Sequence, residues 1–253
     1  MRLTFLGTGS AMPTGERNQT GILLESNGER LLVDCGSGVL NALARTEAGY
    51  EAVDTVLLTH HHLDHIADLL PLLKARWLAG EESLTVVGPQ GTADLVSDLL
   101  DVHDYLKGRV ELELQEVDPD APFTLKGFDI TARETIHSMY CLAYRFTPTG
   151  SDGPVFTFSG DSEAIRELAE FAEGSAVLAH DCSFPDEIDV SNHPTPSQLG
   201  ESLAGLDIGR VYLTHLYPHT DGKHREMLDS IGKHYEGDVR FAKDGLSLGI
   251  DEE

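Results

Sequence analysis

The chain has 253 residues, with 43 Asp plus Glu against 18 Lys plus Arg and a formal charge of −25. That length allows one large α/β domain or two small ones and a substantial core. The charge ordinarily excludes nucleic-acid and anionic-membrane partners, because few basic groups remain to displace counterions from phosphates.

In molar salt that exclusion lapses, since the Debye length falls to about 3 Å and contact with a polyanion becomes a matter of local geometry. Only six lysines in so acidic a chain resemble a halophilic composition of the salt-in kind, with an acidic mesophile as the alternative. Cys35, Cys141 and Cys182 are widely spaced and odd in number, so neither a disulfide framework nor a Cys-x-x-Cys zinc site is expected. The N-terminal residues lack the apolar core of a signal peptide, and no run approaches the roughly 18 apolar residues of a membrane span. A cytoplasmic protein with no membrane partner is the expectation.

In chain order, apolar strand-like runs fall at Leu3 to Leu6, Gly21 to Glu25, Arg30 to Asp34, Val53 to Thr59, Leu84 to Val87 and Val110 to Val117. They continue at Phe128 to Glu134, Leu142 to Phe146, Val155 to Ser159, Ala176 to Ala179, Val211 to Thr214 and Val239 to Phe241. Helical patterns cover Ile66 to Leu78, Thr92 to Tyr105, Ser162 to Ala172, Ser197 to Ala204 and His224 to His234, with Ser162 and Thr195 as capping hydroxyls. No linker divides the chain, so one domain over 1–253, two sheets with outer helices, is the simplest α/β reading. Potential ligands follow the carboxyl ends of four strands, at His60, His137, Asp161 and His215, where α/β folds gather their sites.

Thr59-His60-His61-His62-Leu63-Asp64-His65 packs four imidazoles and a carboxylate into six consecutive positions. His60 and His62, two apart on extended backbone, point the same way; Asp64 and His65 follow at the turn into a helix. Such a loop can feed two adjacent metals. His61 is expected to point away to the surface.

His60-x-His62-x-Asp64-His65, the single His137, the Ser-Gly-Asp161-Ser turn and Thr-His215, in that order, resemble the metallo-β-lactamase fold superfamily of dinuclear metallohydrolases. Phe5-Leu6-Gly7-Thr8-Gly9-Ser10 and Leu32-Val33-Asp34-Cys35-Gly36 extend the resemblance over residues 1 to 250. It implies a four-layer αββα sandwich. It also implies one metal on His60, His62 and His137, a second on Asp64, His65 and His215, and Asp161 bridging both. The donor set suits two Zn2+ ahead of Mn2+ or Fe2+, and a His at 62, where oxygen-reducing diiron relatives carry an acid, argues against redox chemistry. The pair of cations would acidify a water oriented by Asp64, which makes Asp64 catalytic as well as a ligand.

Three segments lean toward phosphodiesters. Pro13 to Gly21 is similar to the Pro-x-Lys-x-Arg-Asn loop of the ribonuclease Z family with Gly15 in place of lysine; Arg17, with Asn18, either clasps a phosphate or steadies its loop. Ala179-His180-Asp181-Cys182-Ser183-Phe184 is similar to that family's His-Glu-Ala-Thr-Phe, and Asn192-His193-Pro194-Thr195 to its His-Ser-Thr helix start. His193 is expected either to donate a proton to the leaving oxygen or to cap the turn, with Thr195 and Ser183 near the substrate; Asp181 either orients His193 or lies exposed. No long Gly/Pro-rich basic insertion of the kind that grips transfer RNA lies between Tyr140 and Phe158.

The resulting expectation is a zinc phosphodiesterase resembling ribonuclease Z, acting on RNA, a transfer-RNA 3′ end or a cyclic or small phosphodiester. The alternatives are a thioesterase or glyoxalase-II-like hydrolase and a non-catalytic metal-stabilised binding module. His219 and His224 either line the entrance or are solvated, Trp77 packs in the core or an interface, and the resemblance implies a homodimer through the helices after the first motif.

Overall fold

A computed structural model describes residues 1–150, 153–188 and 190–250. The expected 1–253 domain therefore includes residues 151, 152, 189 and 251–253, which lie outside the described residues. The first sheet holds β1 (Arg2–Gly7), β2 (Gly21–Ser26), β3 (Glu29–Val33), β4 (Thr55–Leu57), β5 (Ser83–Gly88) and β6 (Glu111–Glu116) in chain order. The second holds β7 (Phe123–Leu125), β8 (Phe128–Glu134), β9 (Leu142–Pro148), β10 (Phe156–Phe158), β11 (Val177–Asp181), β12 (Val211–Thr214) and β13 (Val239–Phe241), and β14 (Ser247–Gly249) returns to the first sheet beside β1. β1 to β3 and β7 to β10 pair antiparallel, whereas β3 to β6 and β10 to β13 pair parallel.

Strand alternation assigns the faces. Ile22, Leu24, Leu31, Val33 and Leu57 point between the sheets, against Phe128, Tyr144, Phe146, Phe156 and Phe158 from the other side. Their neighbours Leu23, Leu32 and Val56 point outward under α1 (Val39–Leu43), α3 (Leu69–Ala79) and α4 (Thr92–Val102), with α2 (Leu63–Ile66) preceding α3. On the far side Leu178, Val211 and Leu213 lie under α5 (Arg166–Phe171), α6 (Pro196–Leu203) and α7 (His224–Ile231). Both faces of each sheet are thus covered, which is why these strands read as continuous apolar runs, and the layers are the expected αββα sandwich.

The differences from expectation are local. The helix expected over Ile66 to Leu78 breaks after Ile66, where the Asp68 carboxylate accepts the N–H groups of Gly38 and Leu40 at 2.9 Å each and so anchors α1. α1, β7 and β14 are too short, at five, three and three residues, to show a period. Ser162 is not a cap: α5 starts at Arg166 after Ile165, and the Ser162 N–H points at Asp181 Oδ2 at 3.4 Å. Thr195 does cap α6, in a reciprocal capping box with Gln198.

Candidate metal centre

The histidine loop leaves β4 and is pressed onto the turn after β3. The Cys35 N–H donates to the His65 carbonyl at 2.7 Å, and a Cβ on Gly36 would lie 2.0 Å from the Asp64 carbonyl oxygen. Only glycine permits that approach. Asp34, fully buried with φ +59, accepts from the Thr59 N–H and Thr59 hydroxyl at 2.8 Å each and from His65 Nδ1 at 2.7 Å. His215, at the end of β12, also takes a left-handed φ of +56. Such strain persists only where surrounding contacts enforce it.

Three donor groups converge between the strand ends. Ligand atoms of His60, His62, His137 and Asp161 lie within 4.8 Å of one another, as do those of Asp64, His65 and His215, while a third group, Asp161, Asp181, His193 and His215, overlaps both. His62 Nδ1 is 3.0 Å from both His60 Nε2 and His137 Nε2, and His215 Nε2 is 3.1 Å from Asp64 Oδ2 and 3.2 Å from Asp161 Oδ2. Asp161 Oδ2 sits 3.7 Å from His60 and His137, while its Oδ1 sits 3.4 Å from His65 Nε2, so one carboxylate faces both clusters.

Proton accounting fixes which nitrogen His60, His65 and His137 present. His65 Nδ1–H donates to Asp34 and His137 Nδ1–H to the Asn192 carbonyl at 3.2 Å. The Thr59 hydroxyl donates to Asp34 and so accepts from His60 Nδ1–H at 3.0 Å. The Nε2 atoms of His60, His65 and His137 are therefore bare lone pairs turned inward. His65 Nε2 and Asp161 Oδ1 are buried without a hydrogen-bond partner. Two nitrogens at about 2.05 Å from a tetrahedral zinc stand about 3.3 Å apart, close to the spacing found here, so the residues fit two cations. The rings differ in charge: against burial, Asp161 and Asp34 hold His65 well above the usual imidazole range, and Asp161 and Asp64 raise His215, protons that a cation at these nitrogens would displace. Burial, then the neighbouring His65, holds His60 well below the usual imidazole range, whereas Asp161 resists burial and is held well below the carboxylate range by His215, His65 and His60.

Beside the second cluster, His193 Nδ1 lies 2.7 Å from Asp181 Oδ2. Burial opposes charge on that ring, but Asp181 outweighs it and raises its pKa to about 9 before any cation is counted. Asp181 is fully buried, which settles its two readings in favour of orienting His193. His193, His62, Asp64, His137, Asp161 and His215 line one cavity of about 420 Å³, completed by Ala11, Leu63, Ser138, Asn192 and Tyr217.

Four residues expected at the substrate are placed otherwise. Arg17 donates to the Thr8 hydroxyl at 2.6 Å and to the Ala242 carbonyl at 2.9 Å, and Asn18 donates to the Leu6 carbonyl at 2.9 Å, so both tie down their loop outside the cavity. Thr195 is spent on the helix cap and the next N–H, Ser197, on Asp186 at 2.8 Å, which closes the phosphate corner. Ser183 is buried beneath the cavity, against Asp181 and His215. His61 is half-buried against α4, its Nε2 2.8 Å from the Thr92 hydroxyl. His224 stacks on Phe241 at 4.0 Å and His219 lies against Phe184, both outside the cavity lining. Sequence reasoning gave no role to Asp34, Asn192 or Tyr217; only the position of Asp34 just past a strand end could have marked it.

The family described as anti-Pycsar protein Apyc1 matches residues 1–227. The chain belongs to that family. Relatives reach further: the probable metallo-hydrolase YhfI of Bacillus subtilis (strain 168) is 31% identical over 258 residues, 97% of this chain and 98% of YhfI. The YhfI crystal structure, of metallo-β-lactamase fold, superposes with a TM-score of 0.83 over 98% of each chain at 28% identity. Ribonuclease Z of Mycolicibacterium gilvum (strain PYR-GCK) is 29% identical over 245 residues, 86% of this chain and 85% of its own. The short form of human tRNase Z, 20% identical, shares the fold with a TM-score of 0.78 over 100% of both chains. The Apyc1-family chain is thus a metal-dependent hydrolase of the metallo-β-lactamase superfamily with ribonuclease Z-like relatives. Among the described residues no helix is long and apolar enough to cross a membrane.

Proposed function

We propose that this hydrolase is a dinuclear zinc phosphodiesterase, with His60, His62 and His137 on one ion, Asp64, His65 and His215 on the other, and Asp161 between them. The observation that carries the phosphodiester reading is His193, held at 2.7 Å by Asp181 on the cavity wall beside the second cluster. Its Nδ1 is committed to Asp181, so the proton on Nε2 is the one available to a leaving oxygen. Bound zinc supplies Lewis acidity and an acidified water. Asp64 orients that water, and His193 protonates the departing alkoxide. A thioester needs no such acid, because a thiolate leaves unaided.

The relatives named ribonuclease Z support RNA as one substrate. The cavity lining contains no Lys or Arg, so a long polyanion gains no counterion release there, and β9 and β10 are joined without a long arm. Both points favour a small or cyclic phosphodiester over a folded transfer RNA. Exposed Leu63, Leu78, Val102 and Tyr105 on the α2 to α4 side support a homodimer through that face; sedimentation as a monomer at working salt removes it. A cytoplasmic setting stays part of the proposal.

Zinc-loaded protein should hydrolyse bis(p-nitrophenyl) phosphate in molar KCl, and at least one of precursor transfer RNA or cyclic nucleotides. Turnover of thioesters alone overturns the reading.

A further inference from the structure

Beneath the cavity, Asp181 divides its two oxygens. Oδ2 takes His193 Nδ1 at 2.7 Å, and Oδ1 takes the Ser183 hydroxyl at 2.6 Å. The same hydroxyl oxygen is 2.9 Å from His215 Nδ1 and 3.0 Å from the His215 carbonyl, whereas its separation from His193 Nδ1 is longer, 3.3 Å. Ser183 and Asp181 are both fully buried.

A hydroxyl has one proton to give. At 2.6 Å from a buried carboxylate, the contact has the length of an O–H···O⁻ bond, the stronger of the choices open to it. The proton therefore goes to Asp181, and Ser183 Oγ accepts from His215 Nδ1–H. That choice leaves His215 Nε2 bare and facing Asp64 and Asp161. The opposite side of the centre repeats the device: the Thr59 hydroxyl stands between Asp34 and His60 Nδ1, with His65 as the second user of the same carboxylate.

We propose that Ser183 is a positioning residue that couples the two halves of the site. Through it one oxygen of Asp181 locks the tautomer of the metal ligand His215, while the other oxygen holds the proton donor His193. This rests on the two-zinc phosphodiesterase reading and moves Ser183 from substrate contact to support of a ligand. Without the hydroxyl, His215 Nδ1 loses its acceptor in a buried pocket and the ring is free to carry its proton on Nε2, where it cannot ligate.

The test uses metal-stripped full-length wild type, Ser183→Ala and Ser183→Thr, each titrated with zinc. For Ser183→Ala, the first zinc should bind as in wild type and the second about 10- to 100-fold more weakly. Ser183→Thr, which keeps the hydroxyl, should restore the second-zinc affinity. If the alanine variant misfolds, Ser183→Cys keeps the shape with a weak donor and should show the same selective loss. Equal second-zinc affinity, or equal weakening of both sites, in the folded variant overturns this inference alone. Fewer than two zinc ions on the wild type overturns the two-metal reading and this inference with it.

Discussion

Replacing Asp34 by Asn isolates what a residue outside the ligand set contributes. The carboxylate accepts three bonds, from the Thr59 N–H, the Thr59 hydroxyl and His65 Nδ1, all between 2.7 and 2.8 Å and all buried. Asparagine can keep the backbone N–H on its carbonyl oxygen, but its NH2 then faces the other two partners as a donor. His65 must turn its Nδ1 into an acceptor and carry its proton on Nε2, aimed at Asp161 Oδ1 3.4 Å away. Two bonds to a charged acceptor are lost or inverted, at about 1.5–3 kcal/mol each, giving about 3–6 kcal/mol of lost stability. For a chain of this size, that is a fall in Tm of roughly 6–24 °C. The zinc held by His65 should weaken by at least about 10- to 100-fold. Zinc titration and thermal unfolding of the stripped protein read the two effects separately. An Asp34→Asn protein that binds two zinc ions with unchanged affinity and melts within a degree or two of wild type would refute the proton accounting for His65 and, through Thr59, for His60.

His193→Ala should leave zinc stoichiometry at two and lower kcat about 10²- to 10⁴-fold on substrates with an alkoxide leaving group. With p-nitrophenolate, which departs without a proton, the loss should be much smaller, and a uniform loss across leaving groups argues against an acid role. Chelating the zinc should lower Tm, since each site filled at about 100 times its Kd contributes about 2.7 kcal/mol; an unchanged melting curve after verified metal removal contradicts a preformed two-metal centre. Raising KCl from physiological to molar concentration should raise Tm, because self-repulsion within a chain of charge −25 is screened. A flat or falling Tm would count against a halophilic design.

Much of this molecule was readable in one dimension, for an identifiable reason. Leu31, Leu32 and Val33 are all apolar because both faces of their sheet are covered, so the strand announces itself as a run. His60, His62, Asp64 and His65 share one short loop, so their spacing already brings four candidate donors together. The candidate donors from separate strands, His137, Asp161 and His215, were legible only as single residues past strand ends and through a family resemblance.

What the sequence could not decide is how each side chain uses its hydrogen bonds. Arg17 and Thr195 have the right chemistry for a phosphate, but Arg17 Nη1 is given to Thr8 and Ala242 outside the cavity lining, and the Thr195 hydroxyl is given to a helix cap. Asp181 could have been exposed or buried, and burial made it the support of His193. Residue types and local spacing determined that candidate metal donors cluster and where the strands run, because both are properties of neighbouring residues. Tertiary structure alone decided which donors meet, which ring nitrogen faces the centre and which polar groups remain free, because those depend on partners such as Asp34 for His65, and Asp181 with Ser183 for His215, that lie about 30 residues away along the chain.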